Sequence, residues 1–393
     1  MYALFLVVFS NLLGFGIIIP LLPYYAENFG ANPNEVTLLM ASYSLMQLIF
    51  GPILGRISDI YGRKKILVLC LIGSAISYLF LYFASSFVLV LFARSIAGLF
   101  GSTTSIANAY VTETTSPENR AKGMGLIGAA FGLGLVFGPV IGGYFGGGDI
   151  NSINYKAPFF FAFIVATISF LLAYFILIEP KRRNKQFVSM NFLDSFKDLL
   201  SLFKIPVLLF LITIFFLVTF SFAGFETTFA LWTERAMNWA SKQTGYAFTF
   251  TALLVALIQG MLIGKLTRKF GELKLLISSC FLMLIGLFFI TLSVQNLYYL
   301  IIALGILGIS VGIGHPSLNS LLSKNLNKNI IGTSFGVIQS VGSLARILSP
   351  LLMGNLFYFF GMNSPYNFGA FLMFISLLLF SYYFLFLKET IKT

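Results

Sequence analysis

Two apolar runs, Val36–Leu54 and Ile66–Phe83, flank a polar break that reads Gly55-Arg-Ile-Ser-Asp-Ile-Tyr-Gly-Arg-Lys-Lys65. A run of about 20 apolar residues crosses a bilayer as a helix, because hydrocarbon offers the backbone N–H and C=O groups no other partner. A break carrying Arg56, Asp59, Arg63, Lys64 and Lys65 cannot lie in hydrocarbon, so it marks a membrane surface. This alternation confines the chain to helices that span a membrane and turns that lie at its faces.

The same window fits twelve times, at 3–22, 36–54, 66–84, 87–110, 123–145, 158–178, 206–231, 244–264, 274–292, 298–321, 332–357 and 367–387. The expected fold class is all-α integral membrane with twelve transmembrane helices. Only 10% of residues are charged and 58% are hydrophobic, whereas a soluble domain has about 25% charged residues. The first run has no cationic stretch before it and no small-residue cleavage site after it, so it reads as a retained helix.

A net charge of +12 would suit a nucleic-acid partner if it were gathered on a soluble face. Instead 20 of the 25 Lys and Arg fall on the side of the Gly55–Lys65 break, Lys156, Arg235 and Lys242 fall on the other, and Arg94 and Arg346 lie within spans. That is the positive-inside pattern. It places the break in the cytoplasm and, with an even number of spans, both termini there too. The expected location is a bacterial plasma or inner membrane, and no nucleic-acid partner is expected. Cys70 and Cys280 sit inside apolar runs and read as packing residues.

Turns are marked by Asn32-Pro33-Asn34, Ser116-Pro117-Glu118-Asn119 and Asn363-Ser364-Pro365. The longest cytoplasmic connection, 179–205, opens with Lys181, Arg182, Arg183 and Lys185. It continues with Phe187, Phe192, Leu193, Phe196, Leu199, Leu200 and Phe203 at roughly helical spacing. It reads as a basic turn and an amphipathic helix in the interface, dividing a bundle at 1–178 from one at 206–393. The halves repeat. Gly55 and Gly62 are echoed by Gly264 and Gly271, Gly14 by Gly224, Cys70 by Cys280, and Pro139 by Pro350. The second copy of the break carries Arg268 where the first has Asp59. Parallel six-plus-six repeats point to a transporter with its site between the halves.

Gly55-x-x-x-Asp59-x-x-Gly62-Arg63-Lys64 is similar to the loop 2–3 motif of the major facilitator superfamily. In span five Gly125, Gly134, Gly138-Pro139 and Gly142-Gly143 resemble the signature of its twelve-span drug/proton antiporters. Ala93-Arg94 with Gly98 and Gly101 resembles the span-four motif of the same group. Over nearly its whole length the chain resembles tetracycline and quinolone multidrug exporters. The resemblance implies two pseudo-symmetric six-helix bundles. It also implies that Asp59 faces the start of span eleven and that Arg63 pairs with Glu113, latching the outward-facing state. A solvated loop with no gating role is the competing reading.

Gly55 and Gly62 suit close backbone approach and a sharp turn. Gly134, Gly138 and Gly142 share one helix face at i, i+4 spacing, with Gly125 roughly opposite, and Pro139 permits a bend. The resemblance makes that face a seal and pivot, and ordinary helix packing is the alternative.

Ionisable residues inside spans are costly and point to function. Glu226, within Gly224-Phe225-Glu226-Thr227, is the only carboxylate well inside a span. A carboxylate removed from water takes up a proton more readily, and it can also meet a cationic drug. The resemblance supports proton coupling or substrate binding there, against a water-exposed carboxylate at the span's outer end. Arg94 lies roughly 10 Å deep at 1.5 Å per residue. Arg94 either tunes proton transfer, as the resemblance implies, or is a structural cation. Arg346 pairs with Glu226 or lines the cavity. His315, before Pro316, is a hydrogen-bonded helix residue or a proton relay. Asn11, Gln47, Asn108, Gln259, Asn319 and Gln339 offer polar lining. Tetracycline/proton antiporters carry an Asp nine residues before a Pro in span one, and here that position is Asn11, which cannot titrate.

The expected function is a secondary transporter that exchanges a small amphipathic or cationic compound for protons by alternating access, as a monomer in the bilayer. No nucleotide-binding glycine loop, metal cluster or catalytic dyad appears, so neither enzymatic chemistry nor a cofactor or metal is expected. A proton-coupled importer of a small solute, a lipid or siderophore exporter on the same fold, and a non-transporting sensor or assembly protein stay open.

Overall fold

The computed structural model describes residues 2–115, 117–180, 205–326 and 331–386; the side chains of 2, 117–122, 331–337 and 384–386 are left aside. The basic turn at 181–185 and the interfacial helix expected at 187–203 lie outside the described residues. Among the described residues every regular element is helical: α1 (Tyr2–Ile18), α2 (Leu22–Glu27), α3 (Pro33–Tyr61), α4 (Arg63–Phe83), α5 (Phe87–Leu99), α6 (Thr103–Thr114), α7 (Pro117–Gly146) and α8 (Lys156–Ile176). They continue with α9 (Pro206–Met237), α10 (Ser241–Leu257), α11 (Ile263–Phe270), α12 (Glu272–Leu292), α13 (Leu297–Asn325), α14 (Ile331–Phe360) and α15 (Ser364–Phe386). A single 3-10 turn stands at Ile150–Ser152 and a π turn at Ile258–Leu262 joins α10 to α11.

Among the described residues eleven crossings are long and apolar enough to span a membrane, with α5–α6 and α10–α11 each counted as one. The twelfth, Ala3–Ile18, is apolar but shorter. The expected span 3–22 is therefore interrupted after Ile18 and resumes as α2. Pro20 has no N–H for the carbonyl four residues back, and its ring would collide with the preceding turn. The fourth span is also interrupted, between Leu99 and Thr103. There Gly98 and Gly101 weaken the helix, and Gln47 of α3 donates from Nε2 to the Gly101 carbonyl at 2.8 Å. The turn expected at Ser116–Asn119 is instead the start of α7, with Pro117 at its first position, where a missing N–H is harmless. Asn32 caps α3 in a capping box whose other half is a Glu35 Oε2 that accepts from the Asn32 N–H at 2.8 Å.

The chain forms two compact units, Met1–Arg183 with Thr227–Ala252, and Asn184–Glu226 with Leu253–Thr393. The C-terminal end of α9 and most of α10 thus pack with the first half of the sequence. In the first unit Leu4, Val7 and Val8 of α1 join Leu67 and Leu71 of α4 and Ile106 of α6 in one apolar core. In the second unit α12 and α13 are stitched together by Ser279 and Ser310. Each hydroxyl donates to the other residue's carbonyl, at 2.9 and 2.8 Å. Ser349 of α14 donates to the Phe220 carbonyl of α9 at 2.6 Å.

The repeat is visible in each unit. Gly62 turns the chain from α3 into α4 at φ 113°, and Gly271 turns it from α11 into α12 at φ 77°. Both conformations favour glycine. Cys70 and Cys280 are free and fully buried, and Pro139 and Pro350 both stand inside helices.

Candidate functional site

The polar break folds around Arg63, the first residue of α4, which is only 7% exposed. Its Nη2 donates to Asp59 Oδ1 and, at 2.8 Å, to Glu113 Oε1. Its Nε reaches the same Glu113 oxygen at 3.2 Å, and Nη1 donates to Ser58 Oγ at 2.6 Å. One guanidinium so ties the end of α3, the start of α4 and the end of α6 together. Lys64 turns outward, its Nζ 5.7 Å from the centre of the Tyr174 ring. The side chains at the start of span eleven, the partner expected for Asp59, fall outside the described ones.

Gly55 departs from expectation. Among the described residues a Cβ there would meet nothing within 4 Å, so none of them makes a close approach that requires this glycine. What Gly55 contributes is its carbonyl, which accepts from Ser58 Oγ at 2.5 Å and Arg63 Nη1 at 3.4 Å. At Gly62 the demand is double, because a Cβ would also sit 2.6 Å from the carboxyl carbon of Glu179. Glu179 escaped the sequence reading. Its Oε1 accepts from the Lys64 N–H at 3.4 Å, which sets a negative charge at the α4 N-terminus, where the helix dipole favours it. Tyr110 fixes that stretch by donating to the Ile178 carbonyl at 2.7 Å. A lone acid at the end of span six was the only signal in the sequence.

A second clasp stands in the other unit. Glu272, first residue of α12, accepts from Lys324 Nζ at 2.8 Å and from Ser320 Oγ at 3.0 Å, both near the end of α13. The repeat offsets of 209 and 211 residues carry Arg63 onto Glu272 and Glu113 onto Lys324. The two clasps occupy equivalent places with their charges reversed. The offset is legible in the sequence, but each position carries the opposite charge in the other copy, so residue identity alone does not reveal the equivalence.

The span-five glycines divide by face. A Cβ on Gly134, Gly138 or Gly142 would run into the α1 backbone or side chain at Leu12, Gly16 and Ile17. Gly143 lies against Ser241 and Lys242 of α10, and the Pro139 carbonyl lies against Gly245. Thr249 of α10 donates to the Val136 carbonyl at 3.0 Å. Gly125 has no atom within 4 Å of an added Cβ. At the end away from the polar break, Arg235 Nη2 pairs with Glu27 Oε1 at 2.8 Å. The carboxyl of Glu234 lies beside that of Glu27, and its Oε2 is buried with no hydrogen-bond partner among the described residues. Tyr24 Oη meets Thr244 Oγ1 at 2.8 Å and donates to the Trp239 carbonyl at 3.1 Å. All of these contacts lie inside the first unit.

Arg94 of α5 is 1% exposed. Its guanidinium carbon lies 4.7 Å from the centre of the Tyr43 ring and 5.9 Å from that of Phe15. Nη2 reaches only Met40 Sδ, at 3.7 Å, and Nε has no hydrogen-bond partner among the described residues. Removing such a cation from water costs several kcal/mol, while a desolvated cation–π contact returns about 2 kcal/mol. Asn11 of α1 is close by, its Oδ1 accepting from Ser74 Oγ at 3.4 Å. Asn108 on α6 is partly buried, and Gln259, in the π turn, is exposed. No hydrogen bond among the described residues ties either to Arg94 or Glu226.

In the second unit Glu226 of α9, His315 of α13 and Arg346 of α14 are each partly buried. Arg346 is the charged neighbour of both Glu226 and His315, and its Nη2 donates to Ser343 Oγ at 3.3 Å. The charge of Arg346 thus acts on an acid of α9 and on an imidazole of α13. Among the described residues no group of three His, Cys, Asp or Glu is placed to hold a metal.

A family model described as Major Facilitator Superfamily matches residues 4–350. The tetracycline resistance protein, class B, of Escherichia coli is 31% identical over 88% of this chain and 85% of its own length. Multidrug resistance protein 2 of Bacillus subtilis is 28% identical over 95% of this chain and 93% of its own. The crystal structure of nucleoside transporter NupG superposes with a TM-score of 0.80 at 13% identity, over 97% of this chain and 99% of that one.

Proposed function

This chain belongs to the Major Facilitator Superfamily, and from that premise we propose that it exports small amphipathic or cationic compounds in exchange for protons. The chain is a multi-pass membrane transporter and not an enzyme. Relatives named for tetracycline and multidrug resistance support efflux. The observation that carries proton coupling is Glu226. It is a partly buried carboxylate within α9, with Arg346 as its charged neighbour.

In this reading the protein works as a monomer with both termini in the cytoplasm, and the bundles 1–178 and 206–393 move against each other. A proton entering Glu226 removes the charge that holds a cationic substrate, so substrate and proton compete for one group. The Arg63 clasp keeps the ends of α3, α4 and α6 in register during the movement, and Asp59 serves as its gate.

Vesicles loaded with a pH-sensitive dye test this. Addition of a cationic substrate such as ethidium is expected to drive proton movement in the wild type, with at least a tenfold loss in Glu226→Gln. Flux unchanged in that variant, or no flux with any cation tried, sinks the coupling assignment. Accumulation of the compound in expressing cells, in place of depletion, reverses the direction.

A further inference from the structure

We propose that Arg94 and the polar side chains around it form a binding site for a small anionic group within the first unit. The cavity there is lined by Asn11 and Phe15 of α1, Tyr43 of α3, Ser74 and Tyr78 of α4, and Arg94 itself. Its volume, about 20 Å³, holds one species the size of a water or a halide, or the head of a carboxylate.

The lining selects by charge. Arg94 supplies a full positive charge with one N–H left without a partner, on a side chain that is almost completely buried. The titratable groups acting on it are Tyr43 and Tyr78, and no carboxylate is among them. Asn11 Oδ1 lies 3.4 Å from Ser74 Oγ, whose hydroxyl also donates to the Cys70 carbonyl at 3.0 Å, and the Asn11 amide adds two N–H donors. A neutral tyrosine hydroxyl can donate as well. A cation surrounded by donors and aromatic rings complements an anion, and burial strengthens that attraction. The ring faces of Phe15 and Tyr43 hold the guanidinium on one side, where they cannot neutralise it.

The group that completes the site is either an inorganic anion from solution or the carboxylate of a transported molecule. If it is the latter, the transported molecule carries an anionic group in addition to any cation that meets Glu226. The site stands apart from transport direction and proton coupling, since it concerns binding to the first unit alone.

Thermal unfolding of the purified full-length protein in sodium gluconate, titrated with chloride, bromide, benzoate or the uncharged benzamide, tests it. Gluconate carries the same carboxylate head on a polyhydroxylated chain that gains nothing against the rings of Phe15 and Tyr43, so it serves as the weakly bound reference anion. Chloride, bromide or benzoate is expected to raise Tm saturably, by about 2 °C at tenfold excess over its Kd, and benzamide is not. Response to halide alone assigns an inorganic counter-ion, and response to benzoate assigns a substrate carboxylate. Arg94→Gln is expected to lose the response. Should that variant fail to fold, Asn11→Asp serves, because it builds the missing negative charge into the wall and is expected to abolish the response while keeping the fold. The proposal falls if no anion shifts the wild type, if benzamide matches benzoate, or if Asn11→Asp responds like the wild type. A flat titration leaves the vesicle assay untouched, and failure of that assay leaves this one standing.

Discussion

Arg63 and Arg94 are both buried arginines of the first unit, yet Arg63 meets two carboxylates and Arg94 meets two rings and a thioether. The difference comes from position. Arg63 starts a helix at a membrane face where acids can gather, while Arg94 lies inside its span, roughly 10 Å from the nearer end, where ionisable residues of either sign are rare. Single glycines show the same dependence on place. Gly142→Ala drives a methyl group into the Ile17 carbonyl of α1, and backbone cannot yield as a side-chain tip can. A loss of about 1–3 kcal/mol is expected. Gly125→Ala, with open space around it, should be neutral or gain up to about 1 kcal/mol of helix propensity. Thermal unfolding of the two variants measures the contrast, and equal losses would mean that the α1–α7 contact is not what the glycine face serves.

Helix ends carry the second level of organisation. The clasp at Arg63 joins the start of α4 to the end of α6, and the clasp at Glu272 joins the start of α12 to the end of α13. The repeat has preserved the contact and exchanged its charges, so geometry is maintained without requiring either sign at either position. Glu272→Lys should place two cations together and destabilise the second unit by about 1 kcal/mol, as a partly exposed pair does. Adding Lys324→Glu should restore most of that loss. A double variant no more stable than the single one would show that Ser320 and the helix dipole, and not the pair, hold Glu272. The breaks in α1–α2 and α5–α6 belong to this level too. Pro20, Gly98 and Gly101 were plain in the sequence, but a hydropathy window averages over them and reports one continuous span.

For the whole molecule, topology is the property open to direct measurement. Cys70 and Cys280 are fully buried, so they give little background to an impermeant maleimide. Asn151→Cys, on the exposed turn before α8, is expected to react in intact cells. Tyr61→Cys, exposed beside the polar break, should react only after permeabilisation. The reverse pattern would invert the orientation read from the basic residues. The sequence by itself determined the order of apolar helices, the repeat, and the acids and glycines of the motifs, and its Lys and Arg carry the expected sidedness that this labelling tests. Those are local or additive properties: each residue partitions between water and hydrocarbon largely on its own account. Only the tertiary structure decided that Glu179 reaches under Gly62 and that Glu272 meets Lys324. It likewise decided that 227–252 pack with the first half and that no carboxylate among the described residues meets Arg94. Each of these depends on how far one helix is rotated and shifted against another, a sum over many weak side-chain contacts distant in the chain, which no single stretch of sequence contains.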